Sequence, residues 1–209
     1  MCTKCGIMRN NIEPIKRQQI KEPMKKGTEE RIIMGIDPGY ARVGWGVVNA
    51  RGVGMDSLGG NGSEKSAVSE PCSACVDYGC FETGAEEEFA TRLAMINAEL
   101  LRLIAKYKPT DIVVEELFWG RIITTGIKVS MARGIVFLRA AEHTGRIYEY
   151  KPNYIKQTIT GLTKADKKQM QESVRSILGL ENIPKPDDAA DALAIAITHA
   201  VAGTTVISR

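Results

Sequence analysis

Residues 31–48 read RIIMGIDPGYARVGWGVV and decide the fold of the chain. The apolar run that ends at Ile36 has the length of a buried strand. Pro38 and Gly39 then favour a tight turn, because proline presets φ at the second turn position and glycine accepts a positive φ at the third. From residue 43 to residue 47, β-branched or aromatic residues alternate with glycines, as in the second strand of a hairpin. The stretch therefore predicts a strand, a turn and an antiparallel strand.

Asp37 is an acidic residue at the end of a predicted buried strand, where its charge contributes nothing to a hydrophobic core. A carboxylate at the end of a buried strand is costly unless it is paired or holds a cation. A second interpretation is that its side chain only caps the turn. The stretch alone leaves both interpretations open.

The composition is that of a globular protein with a single core. The chain has 209 residues, of which 44% are hydrophobic and 25% charged, and this length allows a well-buried interior. The net charge of +3 is unevenly distributed: residues 121–185 carry twelve Lys or Arg against five Asp or Glu, whereas residues 82–100 carry one Arg against five Glu. This segregation favours a basic face for a polyanion, although a solvated helical surface gives the same pattern.

No stretch of the sequence has the apolar length that spans a bilayer. The first residues also lack the apolar core of a signal peptide. We therefore expect a cytoplasmic protein with no membrane partner and with reduced thiols.

The chain divides into a domain and three less regular segments. Residues 1–30 are polar and mildly basic, which predicts a flexible N-terminal extension. Residues 31–203 form the predicted domain, which is interrupted at about 51–76 by a linker-like insertion rich in Gly and Ser. Residues 204–209 are a C-terminal tail.

Beyond the hairpin, helical and strand patterns alternate. Strands are predicted at 78–82, 111–116 and 146–150. Helices are predicted at 86–107, 124–143, 153–159, 165–178 and 188–202. Three glutamates at 86–88 would occupy the first turn of the first helix, where the helix dipole favours them. The order predicts an α/β fold with a mixed five-stranded sheet and helices on both faces.

Further acidic residues lie at the ends of these elements. Glu115 follows an apolar strand, and Asp188 and Asp191 are three residues apart on one helical face. Each has a structural explanation, since Glu115 could end a solvated strand and acids at a helix start favour its dipole. Asp187 would be a good N-cap for this helix. Asp191 lies one turn further in and precedes an apolar run that should be buried.

These acids suit a hard divalent cation. Mg²⁺ takes oxygen ligands, so a set of carboxylates without Cys or His fits it. Two such ions roughly 3.5–4 Å apart can activate a water and stabilise the leaving oxygen of a phosphodiester. Because the basic segment could bind phosphates, the pattern favours a metal-dependent nuclease.

Four motifs in this order resemble the RuvC family of crossover-junction endodeoxyribonucleases, which have the ribonuclease-H-like fold. The motifs are GIDPG at 35–39, VEELF at 114–118, ARG at 132–134 and DAADALAIA at 188–196. The resemblance covers residues 31–202 apart from the insertion. It implies that the catalytic metal ligands are Asp37, Glu115, Asp188 and Asp191. It also implies two Mg²⁺ ions per subunit, with Mn²⁺ as a substitute.

The resemblance extends to residues that would contact DNA. The set comprises Phe118, Arg133, Lys156, Lys164, Lys167 and Lys168. Phe118 matches an aromatic that stacks on a base near the crossover, although its spacing fits a core aromatic nearly as well. Lys156 and Lys167 match family lysines near the scissile phosphate, and their alternative is a solvated helix face.

As a member of this family, the protein would resolve four-way (Holliday) DNA junctions in recombination and repair. It would act as a homodimer, with the RuvA–RuvB branch-migration complex as a partner. An apolar stripe on the helix at 124–143 is the candidate dimer interface, unless it faces the protein's own sheet. The stripe consists of Ile127, Met131, Ile135 and Leu138. The alternatives are another ribonuclease-H-like nuclease, a junction-binding module without catalysis, and an actin-like ATPase or sugar kinase, which needs more chain.

Two Cys-x-x-Cys pairs lie in the extension and the insertion. Cys2, Cys5, Cys72 and Cys75 would make a four-cysteine structural zinc site if the pairs met. Nothing in the sequence brings the pairs together across so long a separation. Unpaired surface thiols are therefore the favoured interpretation.

Overall fold

The computed structural model of the protein describes residues 30–53, 74–117, 123–145 and 147–203, with the side chains of 123–125 excluded. Nearly all of the predicted extension, most of the predicted insertion and the predicted tail lie outside these residues. Within them, no helix has both the length and the apolarity needed to cross a bilayer.

The described residues contain five strands and five helices. They are β1 (Ile32–Pro38), β2 (Arg42–Asn49), β3 (Cys75–Glu82), α1 (Phe89–Tyr107), β4 (Asp111–Glu115), α2 (Ile123–His143), β5 (Tyr148–Tyr150), α3 (Pro152–Thr160), α4 (Lys167–Ile177) and α5 (Asp187–Ala202). The strands form one sheet in the order β3-β2-β1-β4-β5. The two β1–β2 and β2–β3 pairs are antiparallel, and β1–β4 and β4–β5 are parallel. The predicted mixed five-stranded sheet is confirmed.

Helices cover both faces of the sheet, because strand side chains alternate between them. Ile33 points into a core shared with α3, α4 and α5, whereas Met34 and Ile36 point into a core shared with α1 and α2. On the first face, Leu193 and Ile197 of α5 are fully buried. The central strands are thus buried on both sides, as their continuous apolar sequence predicts.

All five helix starts differ from those predicted, and the differences at α1 and α5 change the role expected of acidic residues. Helix α1 begins at Phe89, because Glu88 is extended and acts as its N-cap, so residues 86–88 precede the first turn. Helix α5 begins at Asp187, with Pro186 as the N-cap residue. Asp187 therefore caps nothing, and its carboxylate instead accepts a hydrogen bond from Gln171. Helical periodicity fixes which face is buried but leaves the first turn to local backbone geometry.

Strand lengths also differ from those predicted. β3 begins at Cys75, three residues before the predicted start, and pairs with β2 through a register shift between Val47 and Val48. β5 is limited to Tyr148–Tyr150. Both strands lie at the edges of the sheet. Edge strands are less buried than central ones, so their ends are harder to predict from a hydrophobic pattern.

Candidate active site

Four predicted metal ligands are brought to one end of the fold by three elements. Ile36 of β1 pairs with Val114 of the parallel strand β4. The next residues, Asp37 and Glu115, therefore lie side by side on the two neighbouring strands. Asp188 and Asp191 come from the first two turns of α5, which packs on β1 and β2.

Glycines let α5 approach the sheet closely enough to place its acids beside Asp37. A Cβ at Gly44 would lie 2.0 Å from the carbonyl oxygen of Asp188. A Cβ at Gly35 would lie 2.1 Å from the carbonyl oxygen of Ala192. Contacts this short exclude any larger residue, so the glycines of β1 and β2 set the position of the helix.

A cleft of about 250 Å³ opens at this end of the sheet. Its lining includes Asp37, Glu115 and Asp191, together with Lys156 and Lys167. We call it, together with the adjacent carboxylate of Asp188, the acid cleft. The acid cleft therefore combines several carboxylates with two lysines.

Asp188 is held at the edge of the acid cleft by an arginine. Arg42 Nη1 lies 3.5 Å from Asp188 Oδ2, and Arg42 Nε lies 3.1 Å from Glu82 Oε1. The sequence reasoning missed Arg42. It begins β2, and the hairpin returns this strand to the end of β1 that carries Asp37, which is the signal that could have identified it.

The electrostatics of the acid cleft are those of crowded negative charge. Burial and the negative charges of its three carboxylate neighbours raise the pKa of Asp37 to about 7. Burial also raises the pKa of Glu115 and of Asp191, and the charge of Asp191 adds to the effect on Glu115. The carboxylates oppose one another's ionisation, so a cation among them would be strongly favoured.

The donor set fits a hard divalent cation. All four candidate ligands are carboxylates, which suit Mg²⁺ better than thiols or imidazoles do. In the described part of the chain, no three His, Cys, Asp or Glu side chains already form a metal-binding group.

Lysines partly compensate the negative charge. Lys167 Nζ lies 2.9 Å from Asp187 and 3.9 Å from Asp191. The positive charge of Lys156 acts on Glu115 and lowers its pKa against the raising effects. Both lysines line the acid cleft.

The other predicted DNA-contact residues are placed differently. Lys164 and Lys168 are exposed beside the acid cleft and do not line it. Phe118 lies outside the described residues, as do Cys2, Cys5 and Cys72. Cys75 lies in β3, where burial raises the pKa of its thiol to about 11.

Arg133 is buried next to the end of β4. It is only 8% exposed, and its guanidinium donates to the carbonyl oxygen of Glu115 and to the carboxylate of Glu149. This placement does not support the predicted contact of Arg133 with DNA, which stays a prediction. Glu149 was missed because it lies on a separate strand and only the fold brings it to Arg133.

The sequence profile of the family described as "Crossover junction endodeoxyribonuclease RuvC" matches residues 33–199. The chain belongs to the RuvC family. A RuvC from Desulfitobacterium hafniense is 43% identical over 169 residues, covering 81% of this chain and 92% of the relative. A RuvC from Caldicellulosiruptor saccharolyticus is 39% identical over 175 residues, covering 84% and 95%. The resemblance inferred from the four motifs is confirmed.

Solved structures agree with this assignment. Thermus thermophilus RuvC in complex with a Holliday junction substrate superposes with a TM-score of 0.65 at 34% identity, covering 81% of this chain and 93% of that one. The yeast mitochondrial Holliday junction resolvase has a TM-score of 0.54 at 16% identity and supports the fold alone. The predicted ribonuclease-H-like α/β fold of RuvC is confirmed. RuvC proteins are metal-dependent nucleases, and this chain is an endodeoxyribonuclease of that kind.

Proposed function

We propose that this RuvC protein resolves four-way (Holliday) DNA junctions in recombination and repair, with Mg²⁺ held by the four carboxylates of the acid cleft. The observation that carries the proposal is the convergence of three elements on one cleft, where the pKa of Asp37 is raised to about 7. A raised pKa from crowded acids is characteristic of a site that a cation completes. The Holliday-junction complex of the Thermus relative supports the choice of substrate.

The residues of the acid cleft divide the work between binding a cation and binding a phosphate. Asp37, Glu115, Asp188 and Asp191 would provide the ligands for two Mg²⁺ ions, with Mn²⁺ as a substitute. When bound, the ions supply water activation and stabilise the leaving oxygen. Lys156 and Lys167 would hold the phosphate backbone against the cleft, with Lys164 and Lys168 extending that basic surface.

An exposed apolar stripe on α2 supports the homodimer. Ile127, Met131 and Leu138 are 48%, 50% and 51% exposed. The opposite side of the helix, with Ala132 and Val136, is the side buried against the sheet and α1. These three residues of the stripe are thus free of the protein's own core, whereas the fourth, Ile135, is partly buried and packs against it. A second copy would cover the stripe, and a two-fold dimer would present two identical acid clefts to a two-fold substrate.

The remaining assignments rest on the family or on the sequence. The RuvA–RuvB branch-migration complex would be the partner at the junction, and the protein would act in the cytoplasm. Residues 31–203 would form the nuclease domain, with 1–30 as an extension, an insertion near 51–76 and a tail at 204–209. Zinc at the four cysteines remains the disfavoured alternative to free thiols.

Cleavage of a synthetic four-way junction tests the function. We expect paired, symmetric cuts in the junction with Mg²⁺ and none with EDTA, while a linear duplex of the same sequence stays intact. Equal cleavage of the duplex would favour another type of ribonuclease-H-like nuclease. Tight binding of the junction without any Mg²⁺-dependent cut would favour a binding module.

Sedimentation of Leu138→Glu tests the dimer. We expect the wild type to sediment as a dimer at micromolar concentration and Leu138→Glu as a folded monomer, because a charge would then be buried in the interface. Leu162→Glu is the matched control, since Leu162 is 54% exposed on the other side of the sheet. A wild-type monomer that still makes paired cuts, both free and on DNA, would refute the dimer.

A further inference from the structure

Arg133 joins α2 to the end of the strand that carries Glu115. Its Nη1 donates to the carbonyl oxygen of Glu115 at 2.5 Å, and its Nη2 donates to the carboxylate of Glu149 on β5. The guanidinium carbon also lies 4.9 Å from the centre of the Phe137 ring. The side chain is therefore fixed on three sides by protein.

The end of β4 needs such an anchor. Glu115 is the last residue of a five-residue strand, and its neighbour β5 has only three residues. On the β5 side, the amide of Glu116 donates to the carbonyl of Tyr150. On the α2 side, Arg133 donates to the carbonyl oxygen of Glu115. The carboxylate of the same residue lines the acid cleft.

The chemistry of the contact requires arginine. A guanidinium presents several donors in a rigid fork, so one side chain reaches a main-chain carbonyl and a carboxylate at once. A lysine at this place is a single mobile ammonium and could satisfy only one of them well. A buried cation also needs an anionic partner, which Glu149 provides from the neighbouring strand.

We propose that Arg133 is a positioning residue that holds the end of β4 so that the Glu115 carboxylate stays in place as a metal ligand. The inference rests on the proposed function of the acid cleft. It differs from a DNA contact, because the guanidinium is buried, and from a general stabilising role, because its main-chain acceptor belongs to a candidate ligand itself. Removing a partner that orients a metal ligand in this way lowers metal affinity or activity by about 10–100-fold.

Mn²⁺ affinity tests the proposal without relying on catalysis. Binding is measured by the loss of the free-ion signal in electron paramagnetic resonance. We expect Arg133→Gln to weaken Mn²⁺ binding by about 10–100-fold and to slow single-turnover cleavage of a prebound junction. Junction affinity in EDTA should stay within about twofold of wild type, since no phosphate contact is lost. The Mn²⁺ affinity of Arg133→Lys should lie between those of the wild type and Arg133→Gln, because the positive charge remains but the forked arrangement of donors is lost.

Arg175 offers a matched control on α4. Its Nη1 also donates to a main-chain carbonyl, that of Leu180, at 3.1 Å, and its Nε donates to Glu172 at 2.8 Å. Arg175→Gln removes the same kind of contact away from the acid cleft. We expect Mn²⁺ affinity and cleavage rate to match those of the wild type.

Distinct outcomes would overturn the proposal. Normal Mn²⁺ affinity with lost junction affinity in Arg133→Gln would make Arg133 a DNA contact. Normal Mn²⁺ affinity with a lower melting temperature would make it a fold-stabilising residue only. If Arg133→Gln does not fold, Glu149→Gln decides: it leaves the arginine in place, and we expect a smaller loss of Mn²⁺ affinity in the same direction, whereas no loss would refute the proposal.

The wild-type protein separates this inference from the proposed function. If the wild type neither binds Mn²⁺ nor cuts junctions, the proposed function fails. If the wild type does both and a folded Arg133→Gln variant equals it, only the positioning role fails.

Discussion

The same three elements build two groups of polar residues with opposite character. β1, β4 and α5 carry the acid cleft where β1 and β4 end and α5 begins. Where β1 and β4 begin and α5 ends, the chain forms a second group, which we call the paired cluster. It consists of Arg31, which precedes β1, Asp111 of β4 and His199 of α5, together with the hydroxyl of Tyr150, which is the last residue of β5.

Every charge in the paired cluster has a partner. Arg31 Nε donates to Asp111 at 2.8 Å, and Arg31 Nη2 donates to His199 Nε2 at 2.7 Å. Because a guanidinium only donates, the neutral imidazole carries its proton on Nδ1, which lies 2.8 Å from the Tyr150 hydroxyl. His199 is fully buried.

The pKa values of the two groups move in opposite directions. Burial alone would raise the pKa of Asp111, but its contacts with His199 and Arg31 outweigh burial and hold that pKa well below its usual range. In the acid cleft, burial and like charges raise the pKa of Asp37 to about 7. The acid of the paired cluster is neutralised by the chain itself, whereas the acids of the acid cleft are only partly compensated, which is the pattern expected of a site that binds a cation.

The largest expected effect comes from neutralising the acid cleft. Asp37→Asn, Glu115→Gln, Asp188→Asn and Asp191→Asn each keep side-chain volume while removing a ligand charge. We expect each to lower the single-turnover cleavage rate by about 10²–10³-fold or more, the scale on which electrostatic groups act in active sites. Junction affinity in EDTA should persist, because it depends on Lys and Arg contacts with phosphates.

Asp187→Asn is the internal control for this series. Asp187 is exposed and does not line the acid cleft. Its carboxylate contacts Lys167 and Gln171. We expect near wild-type cleavage. An inactive Asp187→Asn beside an active Asp188→Asn would mean that the ligand is Asp187 and that the assignment on α5 is displaced by one residue.

Substitutions in the paired cluster should instead lower the free energy of unfolding. Asp111→Asn leaves the partly buried charge of Arg31 without its anion, which should lower the free energy of unfolding by about 3 kcal/mol. Asp77→Asn is its control, because Asp77 is a partly exposed acid that pairs with Lys106, and exposed pairs contribute about 1 kcal/mol or less. Urea denaturation measures both. Equal losses in the two variants would mean that the paired cluster is no more stabilising than a surface ion pair.

Asp37→Asn should instead raise the stability of the metal-free protein, and the gain should depend on pH. The native pKa of Asp37 is raised to about 7, so the native state binds the extra proton and loses stability as pH rises from about 4 to 7. The variant lacks that loss. We expect it to exceed the wild type by at least about 1 kcal/mol above pH 7, since a pKa difference of one corresponds to ~1.4 kcal/mol.

Melting temperatures between pH 4 and 8 in EDTA measure this difference. Burial lowers the pKa of His199, so both proteins should lose stability together as pH falls below about 6.5, and their difference isolates Asp37. Mg²⁺ should close the gap by stabilising the wild type more. A difference that is constant with pH would show that Asp37 is not protonated in the native state.

Much of the architecture follows from sequence because it depends on local pattern. The Pro38-Gly39 turn between two apolar strands predicts the β1–β2 hairpin, and strand ends predict where Asp37 and Glu115 emerge. The parallel pairing of β1 and β4 brings Asp37 and Glu115 together. Asp188 and Asp191 join them because α5 packs on β1 and β2. Their role as ligands stays a prediction until a metal is measured.

What the sequence could not provide depends on burial. The basic side chain of Arg133 suggested a phosphate contact, yet its helix turns it inward to Glu115 and Glu149. Asp187 fits the composition of an N-cap, but Pro186 takes that place. In each case the residue type was read correctly, and the tertiary packing chose its partner.

The smallest expected effects separate lysines inside the acid cleft from those beside it. Lys156 lines the cleft and lowers the pKa of Glu115 by its charge. Lys156→Gln should therefore slow single-turnover cleavage by about tenfold, a modest share of the effect of losing a positioned electrostatic group. Lys168 is exposed on α4, outside the lining of the cleft, so Lys168→Gln should leave the rate at saturating enzyme unchanged.

Junction affinity as a function of salt completes the distinction. Each phosphate contact contributes about 0.9 to the slope of log affinity against log salt, so Lys168→Gln should reduce that slope by about 1 and weaken binding a few-fold. The rate at saturation is the deciding quantity, because a lysine that only binds backbone acts before the chemical step. If Lys168→Gln slows saturated cleavage as much as Lys156→Gln does, α4 moves against the acid cleft when DNA binds, and proximity in the free protein does not identify the lysines that act on the scissile phosphate.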